Sequence, residues 1–196
     1  MTGALRIVAG ELKGRPIRTP DRKTDAGRDL RPTADRVRES LFNVLLHGID
    51  GVELKGATVI DAFAGTGALG LEALSRGAGH AVFIDSSPAA IRQIRENVAH
   101  LGLTRRATIL KLDAGTLPPP PLAANAPAGL AFLDPPYDQG LVPAALSGLA
   151  AKGWLAPGAV AVAEVAAKEP LEPPRGFQAI DERTYGRARL VFLRRV

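Results

Sequence analysis

The chain has 196 residues, 46% hydrophobic and 23% charged, enough for one full core and too few for two ordinary domains. No run approaches the roughly 20 apolar residues of a membrane span, and Met1–Lys13 lack the apolar stretch of a secretory signal. The absence of cysteine excludes disulfides, cysteine-ligated metals and cysteine nucleophiles. His47, His80 and His100 lie too far apart for the usual histidine metal site, so no metal and no membrane contact are expected, and the expected location is the cytoplasm. The net charge of +5 is uneven: residues 1–40 carry a net +4, residues 41–182 a net −4 and residues 183–196 a net +5. Positive ends around an acidic body point to a polyanionic partner, or to solubility and an arginine bias, and charge alone does not separate the two.

Residues 1–40 are polar and read as a basic arm or small subdomain, leading into a helix near Asp35–Leu46. Residues 41–196 read as one α/β domain. Within it, Ala57–Asp61 is a β-branched strand, followed by glycines and a helical stretch from Leu69 to Arg76. His80–Asp85 is a second strand. Pro88 then stands near a helix start, and Ile91, Ile94, Val98 and Leu101 make one apolar face. Thr108–Leu112 is a third strand, and the four prolines at 118–121 exclude helix or central strand there. Gly129–Asp134 is a fourth strand, Leu141–Ala151 a helix, and Ala159–Glu164 a fifth strand. The rhythm predicts right-handed βαβ units and a doubly wound, mostly parallel, seven-stranded sheet. It ends at Phe177–Tyr185 and Ala188–Arg194, two runs with no room for a helix between them, hence an antiparallel hairpin at one sheet edge.

Ligands of open α/β sheets bind at the carboxyl ends of the strands. Four predicted strands end there in a carboxylate: Asp61, Asp85, Asp113 and Asp134. A single such residue is an ordinary turn former. Four along one rim suit a ligand with hydroxyls, amines or a cationic centre. Gly65-Thr-Gly67-Ala-Leu-Gly70 after the first strand allows a sharp turn and a helix start with free N–H groups, and Asp85 falls 20 residues beyond Gly65, where an acidic residue binds ribose. Nicotinamide, flavin and adenosyl cofactors share that pattern. Asp61-Ala-Phe-Ala-Gly65 narrows it, because it resembles the first motif of S-adenosylmethionine-dependent methyltransferases. Asp134-Pro-Pro-Tyr137 supplies the other reactant's seat. Two prolines stiffen the loop and remove N–H donors, so Asp134 and the Pro135 carbonyl can accept both hydrogens of an exocyclic amine, while Tyr137 offers a face for an unstacked base.

With Arg6-Ile-Val-Ala-Gly10, Lys13-Gly-Arg15, Leu30-Arg-Pro-Thr33, Asp35-Arg-Val-Arg-Glu39 and Leu41-Phe-Asn43, these motifs resemble the bacterial 16S ribosomal RNA (guanine-N2)-methyltransferase family over nearly the whole chain. The resemblance implies a Rossmann-like fold, with S-adenosylmethionine as cofactor and 16S rRNA as partner, in a small subunit or an assembly intermediate, and a monomeric enzyme. It assigns Asp61, Phe63, Gly65 and Gly67 to the methionine part of the cofactor, Asp85 to the ribose and Asp113 to the adenine, with Ser86 and Ala114 beside them. Arg31 and Thr33 would close over the cofactor, and Asp134, Pro135, Pro136 and Tyr137 would hold the guanine. Arg6, Lys13, Arg15, Arg18 and Arg38 would contact RNA phosphate, or form a solvated arm, and Arg183, Arg187 and Arg189 would do the same or guard a sheet edge.

Other readings stay open at this stage. The loop serves any planar amine, so adenine-N6 and protein glutamine methylation compete, and nothing in these residues separates guanine N2 from adenine N6. A nicotinamide-dependent oxidoreductase leaves Asp134–Tyr137 without a role, and a non-catalytic RNA-binding protein has no need of four rim carboxylates.

Overall fold

A computed structural model describes residues 5–19 and 31–196, without the side chains of residues 31–34. Helix α1 (Arg31–His47) precedes β1 (Thr58–Ala62), α2 (Ala68–Ser75), β2 (His80–Asp85), α3 (Pro88–His100), β3 (Ala107–Lys111), β4 (Ala128–Leu133), α4 (Leu141–Ala151), β5 (Leu155–Ala166), β6 (Phe177–Tyr185) and β7 (Ala188–Arg195). The sheet order is β3-β2-β1-β4-β5-β7-β6, parallel except for β7, which runs antiparallel between β5 and β6. This is the expected doubly wound sheet with its terminal hairpin. The chain order reverses between β1 and β4, and a crevice opens at their carboxyl ends.

Alternation along the strands sends side chains to two core layers. Val59, Phe83, Phe132 and Val162 pack with Leu41, Phe42 and Leu45 of α1, Leu71 and Leu74 of α2 and Ile94 of α3. Ile60, Val82, Ile84 and Leu133 face the other way, onto Val142, Leu146 and Leu149 of α4. Between β3 and β4 no α-helix crosses this second layer. The proline-rich loop covers it instead, burying Leu117 and Ala124 and held by Trp154 Nε1 on the Pro118 carbonyl (2.7 Å) and Thr108 Oγ1 on the Ala123 carbonyl (2.6 Å).

The boundary expected at residue 40 falls inside α1. Residues 5–19 are a ribbon docked on the domain: Ile7 and Ile17 are buried in the first core layer, and Arg6 bridges to Pro16. Gly10, at φ +85°, lies so close to α2 that a Cβ would stand 1.9 Å from the Ser75 carbonyl oxygen. The basic segment is therefore part of the same core wherever it is described. No helix among the described residues is long and apolar enough to cross a membrane.

Candidate active site

Three loops at the carboxyl edge enclose a cavity of about 500 Å³. The loop after β1 contributes Phe63 and Gly65, the loop after β2 contributes Asp85, Ser86 and Ser87, and the loop after β4 contributes Asp134, Pro135, Pro136 and Tyr137. Phe63 holds φ +61°, a conformation that costs a bulky side chain energy and that the surrounding turn enforces. Gly67 (φ +80°) caps α2. Gly70 lets α2 lie against β2, since a Cβ there would meet the Phe83 ring at 2.4 Å.

The carboxylates divide into supports and cavity walls. Asp61 is buried (1% exposed), accepts the Gly70 N–H at 2.8 Å and ties the first turn of α2 to β1. Burial, opposed by that hydrogen bond and reinforced by the charges of Asp134 and Asp85, pushes its carboxyl up to about 8. It lies outside the cavity lining. Asp85 bridges two walls by accepting from Gly65 N–H (2.9 Å) and Ser87 N–H (2.8 Å), with lone pairs left on both oxygens. Asp113 accepts from Gly115 N–H at 2.8 Å, and Ala114 is buried in the second core layer, so neither lines the cavity. Arg31 and Thr33 belong to the first turn of α1, and their side chains lie outside the described residues.

The loop after β4 is dominated by acceptors. Pro135 and Pro136 have no N–H, and the Asp138 N–H is taken by Glu169 Oε2 at 2.9 Å. The Tyr137 hydroxyl donates to Glu164 Oε1 at 2.6 Å. Crowding by protein, and then the Glu164 charge, raise the Asp134 carboxyl above the ordinary carboxylate range. Burial, then its hydrogen bond to Glu164 and the charges around it, likewise raise the Tyr137 hydroxyl, so Tyr137 stays protonated.

Of the predicted cations, Arg6, Lys13, Arg15 and Arg18 are exposed on the ribbon, with Arg6 Nη1 on the Gly14 carbonyl (3.0 Å) and Arg15 Nη2 on the His100 carbonyl (3.2 Å). Arg38 is not one of them. Its side chain is 5% exposed, pairs with Asp35 (2.8 Å) and buried Glu72 (3.4 Å) and donates to the Arg6 carbonyl, so it holds the ribbon and does not face solvent. Of the tail arginines, Arg183 pairs with Asp181 and Arg189 with Glu182, while Arg187 is exposed.

Three residues outside the predicted set organise this site. Glu72 accepts from Val8 N–H (2.8 Å), Ala9 N–H (3.0 Å) and Arg76 Nε (2.7 Å). Asn97 joins Arg18 to Thr66 of the glycine loop. Glu164 meets Tyr137. The available signal for Glu164 was the one used for its neighbours, a carboxylate ending a predicted strand.

Sheet order, glycine turn and Asp134–Tyr137 loop together define a Rossmann-like methyltransferase of the S-adenosylmethionine-dependent class. The chain belongs to the family described as Conserved hypothetical protein 95, which matches residues 5–194. It is 39% identical over 156 residues to the Ribosomal RNA small subunit methyltransferase D of Escherichia coli (79% of this chain, 71% of the relative). To the protein of that name from Haemophilus influenzae it is 34% identical over 186 residues (94% and 90%). The solved structure of Escherichia coli yhhF superposes with a TM-score of 0.78 at 31% identity, covering 98% of each chain.

Proposed function

We propose that this enzyme methylates the exocyclic N2 of a guanine in 16S rRNA, within the small subunit or an assembly intermediate, and that it works as a cytoplasmic monomer. The observation that carries this reading is the shared cavity: the glycine turn and Asp85 line one side, and Asp134–Tyr137 line the other. The relatives named for the small-subunit RNA supply the substrate class.

The cavity fits S-adenosylmethionine. Gly65 leaves open space where a side chain would project, Asp85 keeps acceptor capacity for two hydroxyls, and Ser86 and Ser87 stand beside it. When bound, the cofactor supplies an electrophilic methyl group on a sulfonium sulfur. Phe63, Gly65, Asp85 and Ser86 would hold it at the wall. Arg31 and Thr33, with Asp61 and Gly67 beneath the turn and Asp113 and Ala114 at the next strand end, would complete its surroundings.

On the opposite wall, Asp134 and the Pro135 carbonyl orient the amine by accepting its hydrogens. Tyr137 is 41% exposed and offers its ring to the base. Fixing both reactants in one cavity supplies most of the acceleration, and the acceptors stabilise positive charge as it develops on nitrogen. That nitrogen becomes acidic on taking the methyl, so its proton passes to Asp134 or solvent without a strong base.

The test is methyl transfer from labelled S-adenosylmethionine to small subunits isolated from cells lacking this protein, followed by nucleoside analysis. Label in N2-methylguanosine at one position is expected. Label in methyladenosine, or none in RNA with the cofactor bound, overturns the substrate.

A further inference from the structure

Pairing of β4 with β5 sets Leu133 opposite Ala163, so Asp134, which follows the end of β4, comes beside Glu164, two residues before the end of β5. They have the parity of Phe132 and Val162, and both project from the sheet face that carries α1, α2 and α3. The Tyr137 hydroxyl is spent on Glu164 Oε1, and Oε2 accepts no hydrogen bond among the described residues. The cavity wall therefore presents the Asp134 carboxylate and the Pro135 carbonyl, and a partly exposed Glu164 carboxylate stands at its margin, against the lining residue Tyr137.

Resting on the reading of the site as an amino-methyltransferase, we propose that Glu164 selects guanine by accepting its N1–H while Asp134 accepts from the 2-amine. Guanine alone among the common bases presents three adjacent hydrogens on this edge, two on N2 and one on N1. Adenine and cytosine place an acceptor nitrogen beside their amine, and that lone pair would face a carboxylate with no donor between them. Rejection of this kind operates where the seated base excludes water from the two carboxylates, because polar groups are then left unpaired. Desolvation first, and the nearby Glu164 charge second, raise the Asp134 carboxyl, and hydrogens from one base shared across both acids would lower the repulsion between them. Glu164 is thus the base-selecting residue, separate from Asp134, which orients the amine.

The position methylated by wild-type enzyme is mapped first, and subunits are then reconstituted with guanosine, adenosine or 2-aminopurine there. The last keeps the 2-amine but has an acceptor at N1. Wild type is expected to favour guanosine over 2-aminopurine by about 100-fold in kcat/KM. Glu164→Gln, whose amide can donate to such a nitrogen, is expected to shrink that ratio at least tenfold, through loss on guanosine. Tyr137→Phe lowers turnover but keeps the ratio, because the carboxylate remains. A fall on both substrates together in Glu164→Gln overturns the proposal, as does a ratio shift in Tyr137→Phe equal to that in Glu164→Gln. If Glu164→Gln fails to fold, judged by cofactor titration, a wild-type ratio near one still overturns it. Wild type inactive on guanosine is a different result, which removes the substrate reading itself.

Discussion

The side-chain amide of Asn97 donates to the Thr66 carbonyl at 2.9 Å and to the Arg18 carbonyl at 3.0 Å, and its oxygen accepts the Arg18 N–H at 2.9 Å. One fully buried side chain on α3 thus joins the basic ribbon to the glycine turn of the cofactor wall. Asn97→Ala strands all three backbone groups, at about 1–3 kcal/mol for each left buried and unsatisfied. The expected outcome is a lower urea midpoint together with weaker S-adenosylmethionine binding by calorimetry. Unchanged cofactor affinity in a folded variant would show that the turn keeps its shape without the link.

Glu72 anchors the other end of the ribbon. It is completely buried, yet faces two backbone N–H groups and the guanidinium groups of Arg38 and Arg76. Glu72→Ala leaves the largely buried Arg76 unpaired and Arg38 with Asp35 alone, a loss of about 3–5 kcal/mol. Residues 5–19 should then become the first site of proteolysis and lose amide protection ahead of the sheet. Simultaneous loss of protection everywhere would mean that the ribbon and the domain unfold as one unit.

Lys13, Arg15 and Arg18 are exposed on this same ribbon, and the proposed function gives them the phosphates of the RNA. Neutralising them should reduce RNA affinity and flatten its dependence on salt, by about 0.7–0.9 in logarithmic slope for each phosphate no longer neutralised. Arg38→Gln should behave differently, lowering stability while leaving the slope of the folded fraction unchanged, because its guanidinium is committed to Glu72 and Asp35. An identical slope in the triple variant and wild type would remove the ribbon from the RNA interface.

What could be read from the sequence was what repeats locally. His80–Asp85 and Leu141–Ala151 have the bounds that periodicity implies, while α1 starts four residues earlier than Asp35, since Pro32 is tolerated in a first helical turn. β5 begins at Leu155, before its apolar run, and passes Pro157 and Gly158 where its register with β4 shifts. The cavity walls were legible because glycines permit, and prolines restrict, backbone conformations wherever they stand. Arg38, Glu72 and Asn97 were not, because their partners on the ribbon lie 32 to 79 residues away. Arg38 nonetheless carried a sign of its burial: it precedes Leu41 and Leu45 by three and seven residues, on the apolar face of α1.

Asp134 accepts hydrogens only as the carboxylate, and its raised pKa delays that form towards neutral pH. Activity should therefore rise with pH through a limb above the ordinary carboxylate range. Asp134→Asn keeps one acceptor oxygen, cannot titrate and should lose that limb along with most of its turnover. Persistence of the same limb in the variant would assign it to another group.

Asp61 supplies the complementary effect on stability. Its carboxyl titrates near 8 in the folded protein, against 3.8 for the ordinary group, because burial disfavours the charged form. Between those values the folded state binds more protons than the unfolded one, so stability falls as pH rises, by up to about 1.4 kcal/mol per pH unit, and the loss is complete above 8. Asp61→Asn retains an oxygen for the Gly70 N–H and carries no charge to desolvate. Denaturant midpoints at pH 6 and pH 9 should differ markedly in wild type and much less in Asp61→Asn, which becomes the more stable protein at pH 9. Parallel pH dependences in the two would mean that Asp61 stays ionised in the fold, held so by the backbone at the start of α2.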